Sequence, residues 1–331
     1  YLTLNFRADA SSKFSKQSRV GYFPSVSAAW RISNEPWMKV AKSKAVDNLK
    51  LRFSAGLSGN DRISNYAYMS YMDKIYYSTG NGSQHLGTAE FTLGNEKLKW
   101  ETTYQYDLGL DMTLFKGRVD LVLDAYYKDT RDMLFMATLP SQMGFTSQWQ
   151  NIGRVSNKGV ELTLNTINVR KREFSWSTTL TFSLNRNRVV SLGEGIKTKP
   201  NNVAKGAFKD EPTLLMVDQP IGVIYGYEWD GNYQLSDFDI YYRNTNTPVD
   251  AAFVNSDNYD DFDFILKKGV TSINGVDPKP GDRKLKDLSG DNVVNASDDK
   301  TIIGNCLPDF TYGIGNTFAW KGLSLYVFFD G

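Results

Sequence analysis

The chain has one cysteine, Cys306, and one histidine, His85, in 331 residues. The lone cysteine excludes a disulfide framework and Cys-Cys zinc sites. The lone histidine removes nearly every His-based metal site and argues against a Ser-His-Asp or Cys-His centre. Net charge is +1, without the basic excess of a nucleic-acid binder, so no nucleic acid is expected as a partner. No apolar run reaches the length of about 18 residues that marks a transmembrane helix. A transmembrane β-barrel stays open, because its strands alternate and keep the average hydropathy polar. What the chain has in quantity is aromatic residues, at 14%.

The period of the hydrophobic pattern is two. Leu49, Leu51, Phe53, Ala55 and Leu57 alternate with Lys50, Arg52, Ser54, Gly56 and Ser58. Tyr104 to Leu114, Val119 to Tyr127 and Phe174 to Leu184 read the same way, the last against an almost pure Ser/Thr row. Successive strand side chains point to opposite faces, so each run has one apolar and one polar wall. These runs last roughly 10 residues or more, against about 5–6 for an ordinary strand, and about 9–11 tilted residues span a bilayer. Tyr22, Trp30, Tyr104, Tyr127, Phe174 and Trp320 sit near run ends, where membrane strands carry aromatic girdles. An antiparallel soluble β protein would also alternate and remains the competing fold.

Nine strands are expected, near 1–8, 22–32, 49–58, 99–114, 117–129, 154–168, 173–187, 308–320 and 322–331. The short links Lys116-Gly117, Lys171-Arg172-Glu173 and Lys321-Gly322 all fall on one side by parity. The fourth link on that side, 33–48, is expected to contain a helical turn. The long links, Ser58–Lys99, Asp129–Gly153 and Arg188–Leu307, fall on the other side. Short periplasmic turns opposite long extracellular loops are the barrel arrangement. The fold expected is therefore all-β, an incomplete antiparallel transmembrane β-barrel. Nine is an odd number and bacterial single-chain barrels are even. Both ends also lie inside strand-like runs, YLTLNFRADA and LSLYVFFDG. Residues 1–331 are thus expected to be part of a larger barrel domain.

Six blocks in order resemble the SusC/RagA family of TonB-linked outer-membrane transporters. They are Gly21–Met38, Asn48–Asn60, Leu98–Leu134, Asn151–Asn165, Gln219–Gln234 and Pro280–Gly331. The resemblance implies the later part of a 22-stranded barrel whose N-terminal plug lies outside this sequence. It implies an outer-membrane protein that imports glycans or oligopeptides with a SusD-like lipoprotein as extracellular lid. TonB would drive release, acting through the absent N-terminal part.

Two groups of side chains are site candidates. Tyr66, Tyr68, Tyr71, Trp149, Tyr225, Tyr227, Trp229 and Tyr233 lie in the long loops, and flat rings offer rigid faces for sugars or peptide side chains. Packing between loops is the competing role of each. Asn151, Asn185, Asn187 and Asn202 could add hydrogen bonds at the lumen or mouth. Within the long loop region 188–307, residues 287–298 space oxygen donors as a calcium loop does: Asp287, Ser289, Asp291, the Val293 carbonyl, Asn295 and Asp298. Hard Ca²⁺ takes six to eight such oxygens, and the expected role is a structural clamp. Asn292 replaces the usual glycine and Asp298 the usual glutamate. An Asx-rich turn that needs no ion would look alike. Catalysis is not expected: Asp120 and Asp124 share a polar wall with Arg118 and Lys128 nearby, as lumen charge does. The alternative function is a soluble or surface carbohydrate-binding β module that uses the loop aromatics.

Overall fold

Alternation over this many residues leaves the backbone little choice but extended pairing, and the computed structural model shows one long ladder. It describes residues 1–41, 45–78, 80, 82, 84–200 and 213–331. Nine strands form a single sheet: β1 Leu2–Ala10, β2 Val20–Arg31, β3 Val46–Asn60, β4 Glu101–Leu114, β5 Val119–Arg131, β6 Arg154–Arg170, β7 Phe174–Ser191, β8 Thr311–Trp320 and β9 Leu323–Asp330. Their order in the sheet is their order in the chain. Every neighbouring pair is antiparallel. β1 and β9 are both edges, so the sheet does not close on itself.

The turns at one end are short for a physical reason. Between β8 and β9, Lys321 and Gly322 both have positive φ, 45° and 89°, as a type I′ turn requires to match the twist of the flanking strands. Glycine bears that conformation without steric cost. The fourth link at this end holds a short helix, α1, Pro36–Ala41, as the sequence predicts. The other end carries the long connections.

Register carries the apolar wall across seven strands at a time. Leu2, Ala28, Phe53, Leu108, Ala125, Val160 and Leu184 lie side by side, one per strand. So do Trp30, Leu51, Leu110, Leu123, Leu162, Phe182 and Tyr312. This face is bare: Phe53 is 45% exposed and Leu108 51%. A sandwich would bury such rows under a second sheet, and among the described residues none covers them. The soluble-sandwich reading fails on that point.

The opposite wall is polar and cross-linked. Arg52 donates to Asp111 at 2.9 Å and to Asp124 at 2.8 Å, and Lys50 reaches Asp111 at 3.2 Å. Gly109 lies between Arg52 and Asp124 in the register. A Cβ there would fall within 3 Å of both charged groups, so the glycine leaves room for the ion pair.

At the long-loop end the strands run further than the alternation foretells; β7 continues to Ser191. Two small cores cap this end of the sheet. One joins Val155, Val189, Leu192 and Leu215. The other joins Phe14, Ile63 and Leu98, with Trp100, Tyr68 and Trp149 against it. A separate compact unit is made by residues 222–306 with Pro200, Thr213 and Leu214. Its own core is Tyr233, Phe238, Ile240 and Phe262. The three-stranded sheet of Phe238–Tyr242, Pro248–Val249 and Phe262–Leu266 forms one wall of it. The sequence predicts a long loop here and gives no sign of this core.

Candidate functional site

Four stretches at the long-loop end line a cavity of about 640 Å³. They are Ser64–Tyr71 (all but Tyr68), Thr92–Leu93, Met136, and Ser147–Trp149, with Met136 paired to Trp149 across two strands. The segments are far apart in sequence and are tied by side chains. Gly94 N donates to Ser70 Oγ at 2.9 Å, and Gln148 Nε2 donates to the Gly94 carbonyl at 2.7 Å. Asn95 Nδ2 donates to the Trp149 carbonyl at 2.8 Å. A Cβ on Gly94 would run into the backbone of Met69 and Ser70, so only glycine permits this approach. The floor is firm because Trp149 and Ala67 also pack on the Phe14, Ile63 and Leu98 core.

Of the aromatics predicted from sequence, Tyr66, Tyr71 and Trp149 line the cavity. Tyr68 turns instead into the core beneath it. Tyr66 stands at the rim, 67% exposed, with a left-handed backbone of φ 62°, a conformation bulky residues rarely adopt. Met69, Met136 and Leu93 complete the apolar lining; unlike the rings, they carry no mark in the sequence that sets them apart from other loop residues. No lining residue carries a charge.

Deeper in the sheet, Asn185 accepts from the Tyr126 hydroxyl and Asn187 from the Ile221 amide. Asn151 clasps the loop roots, donating to the Lys99 and Asp132 carbonyls. Asn202 lies outside the described residues.

The family profile described as TonB dependent receptor-like, beta-barrel matches residues 1–320. The chain belongs to the TonB-dependent receptor β-barrel family. It is 34% identical, over 99% of its length, to TonB-dependent receptor P3 of Formosa agariphila. It is 27% identical, again over 99%, to TonB-dependent receptor SusC of Bacteroides thetaiotaomicron. It spans 30% of the length of each of these relatives. Among solved structures it is similar to the RagAB peptide transporter, with a TM-score of 0.72 and 25% identity over the whole chain and 31% of that one. The same importer in its open-open state gives 0.73 at 24%, covering 30% of that chain. The nine-stranded sheet is therefore a sector of a TonB-dependent receptor barrel, and its ladder of consecutive antiparallel neighbours is that fold.

The remaining predicted residues of this barrel sector lie in the compact unit of the long loop. Tyr225 pairs with Ile302 and Tyr227 with Lys300, whose ammonium sits 5.2 Å from the Tyr227 ring. Trp229 is exposed beside Leu285. Tyr233 is a core residue, 1% exposed, and its hydroxyl donates to the Thr271 carbonyl at 2.7 Å. Burial raises its pKa, with Asp237 and Asp282 adding to the effect. Its ring is closed to any ligand.

The predicted calcium loop is a tight Asx turn. Asp287 accepts from the amides of Gly290 at 2.6 Å and Asn292 at 2.7 Å. Asp291 accepts from Val293, and Asn295 from Ser297 and Asp298. Asn292 takes the left-handed φ of 65° expected at the sixth position. The carboxylate the fold buries is Asp299, one residue past the expected last ligand. It accepts from the amides of Leu288, Ser289 and Asn295. Among the described residues no three acidic, His or Cys side chains converge as a metal site. Calcium on this loop therefore stands as a proposal.

Proposed function

We propose that the full-length protein carrying this chain is a SusC-like outer-membrane transporter that imports an oligomeric nutrient, a glycan or an oligopeptide. A SusD-like lipoprotein would lid its long-loop side, and TonB would drive it from the other. The observation that carries the reading is the bare apolar wall: rows of Phe, Leu and Trp continuous over seven strands, opposite a wall knit by Arg52, Asp111 and Asp124. In water such a face would aggregate. In a bilayer hydrocarbon covers it, and the polar wall faces a lumen. Short turns on the periplasmic side and long loops outside follow from the same orientation. On this reading the aromatic rings that line a cavity among those loops would meet cargo before it enters the barrel.

The test uses the full-length gene in a host with its TonB system. The protein is expected to fractionate with the outer membrane. Uptake of either a fluorescent peptide mixture or a fluorescent malto-oligosaccharide is expected to stop when TonB is deleted. A protein that purifies as a soluble monomer without detergent would overturn the reading.

A further inference from the structure

The cavity bounded by Tyr66, Met69, Met136 and Trp149 is built before any cargo arrives, and its chemistry is selective. At about 640 Å³ it falls within the roughly 300–1,000 Å³ of small-molecule sites. Nothing in its lining is charged. A sugar offers hydroxyls on every side and needs donors and acceptors around the ring it stacks on, because a buried polar group without a partner is costly. Two of the polar side chains, Gln148 and Ser70, are already engaged in holding the wall. Gln148 donates to Gly94 and accepts from Gln150 Nε2 at 3.0 Å, and Ser70 accepts from Gly94. Most of what faces the space is thioether, indole, phenol ring and leucine, with the short polar side chains of Ser64, Asn65, Thr92 and Ser147 among them. Methionine adapts to apolar shapes and makes favourable contacts with aromatic rings. The strained Tyr66 backbone at the rim is the kind of outlier that clusters at ligand clamps.

We propose that this cavity is a side-chain pocket for an oligopeptide, and that it seats one uncharged aromatic or large aliphatic residue while the peptide backbone stays outside. The proposal rests on the transporter reading and names its cargo class. The Tyr66 hydroxyl, at the exposed rim, can turn to the peptide backbone or to water, while Met69, Met136 and Trp149 flank the side chain. An acidic or basic residue would have to shed its water with no counter-charge in the pocket, which excludes it.

The test uses the full-length transporter in detergent and three probes: Ac-Ala-Phe-Phe-Ala-NH₂, Ac-Ala-Ser-Ser-Ala-NH₂ and maltotetraose. Binding is read by calorimetry and by Trp149 fluorescence, with Trp149→Phe as the spectral control. The Phe peptide is expected to bind and to shift the Trp149 signal, and the Ser peptide to bind at least tenfold more weakly. Met69→Asp is expected to weaken the Phe peptide at least tenfold, and Met69→Leu to keep wild-type affinity. Comparable binding of the two peptides would overturn the proposal. So would maltotetraose binding that Met69→Asp abolishes, or no Phe-peptide binding by a folded, heat-modifiable protein. Loss of TonB-dependent uptake with pocket binding intact would count against the transporter reading and leave the pocket standing.

Discussion

Asp129 is almost fully enclosed, 2% exposed, at the loop end of β5, and two arginines hold it. Arg154 grips it with two bonds, at 2.7 and 2.8 Å, and Arg131 adds a third at 2.7 Å. Arg131 also lies over the Tyr104 ring, 4.7 Å from its centroid, so one carboxylate joins β4, β5 and β6. Removing one partner of a buried pair costs about 3–5 kcal/mol. Both guanidinium groups here reach solvent, so a loss of about 1–2 kcal/mol is expected for Asp129→Asn. Faster amide exchange in residues 132–153, with the sheet centre unchanged, is the signature to measure. Tyr233 yields a second residue-scale prediction. Tyr233→Phe keeps the ring in its core and loses one hydrogen bond, so it should cost about 1 kcal/mol of stability and leave cargo binding untouched. Reduced cargo binding at unchanged stability would restore the ligand role that the sequence suggests for this tyrosine.

The loop from Asp287 to Asp299 shows what a motif can and cannot convey. Spacing alone marks a wrapped, oxygen-rich turn, and the wrap is there, down to the left-handed Asn292. Which carboxylate the backbone encloses is decided by three amide directions, and no spacing rule separates Asp298 from Asp299. The amides of Asn295 and Ser289, aided by Leu288, hold the Asp299 carboxylate below its ordinary pKa of 3.8 against a smaller effect of burial. For Asp287, burial pushes upward and the amides of Gly290 and Asn292 outweigh it, so its pKa also falls. Groups with depressed folded values lend stability above the ordinary carboxylate range, and it is lost as pH falls through the lower folded value. The loop should therefore resist proteolysis unchanged from pH 7 to 5 and open below about pH 3.8. At neutral pH, Asp299→Asn should expose it to protease while Asp298→Asn should not. Calcium would reverse that ranking: if added Ca²⁺ protects the loop and Asp298→Asn removes the protection, an ion is held as the spacing first implied.

Across the whole molecule, what could be read from the sequence was what repeats. The strands follow from period two, because each residue's face is fixed by parity alone, and the side on which each turn falls follows from counting strands of alternating direction. The cavity and the second core could not be read this way. Gly94, Ser70 and Gln148 meet through bonds between segments that share no period, and Tyr233, Phe238 and Phe262 close a core inside what scans as one long loop. Parity also supplies the decisive test of what covers the apolar wall. Leu108 lies mid-strand in the row between Phe53 and Ala125, while Ser54, paired with Ser27 and Asp107, lies on the other face. A lysine facing hydrocarbon near the bilayer midplane costs about 2–4 kcal/mol, whereas lumen positions tolerate charge. Leu108→Lys in the full-length protein should therefore cut the fraction that folds into lipid vesicles severely, read by heat-modifiable gel mobility, and Ser54→Lys should fold nearly as wild type. In water the order would reverse: Leu108→Lys would relieve an exposed apolar patch, and Ser54→Lys would do nothing for it. Equal folding of the two variants in lipid would mean that hydrocarbon does not cover this face, and the barrel orientation would fall with it.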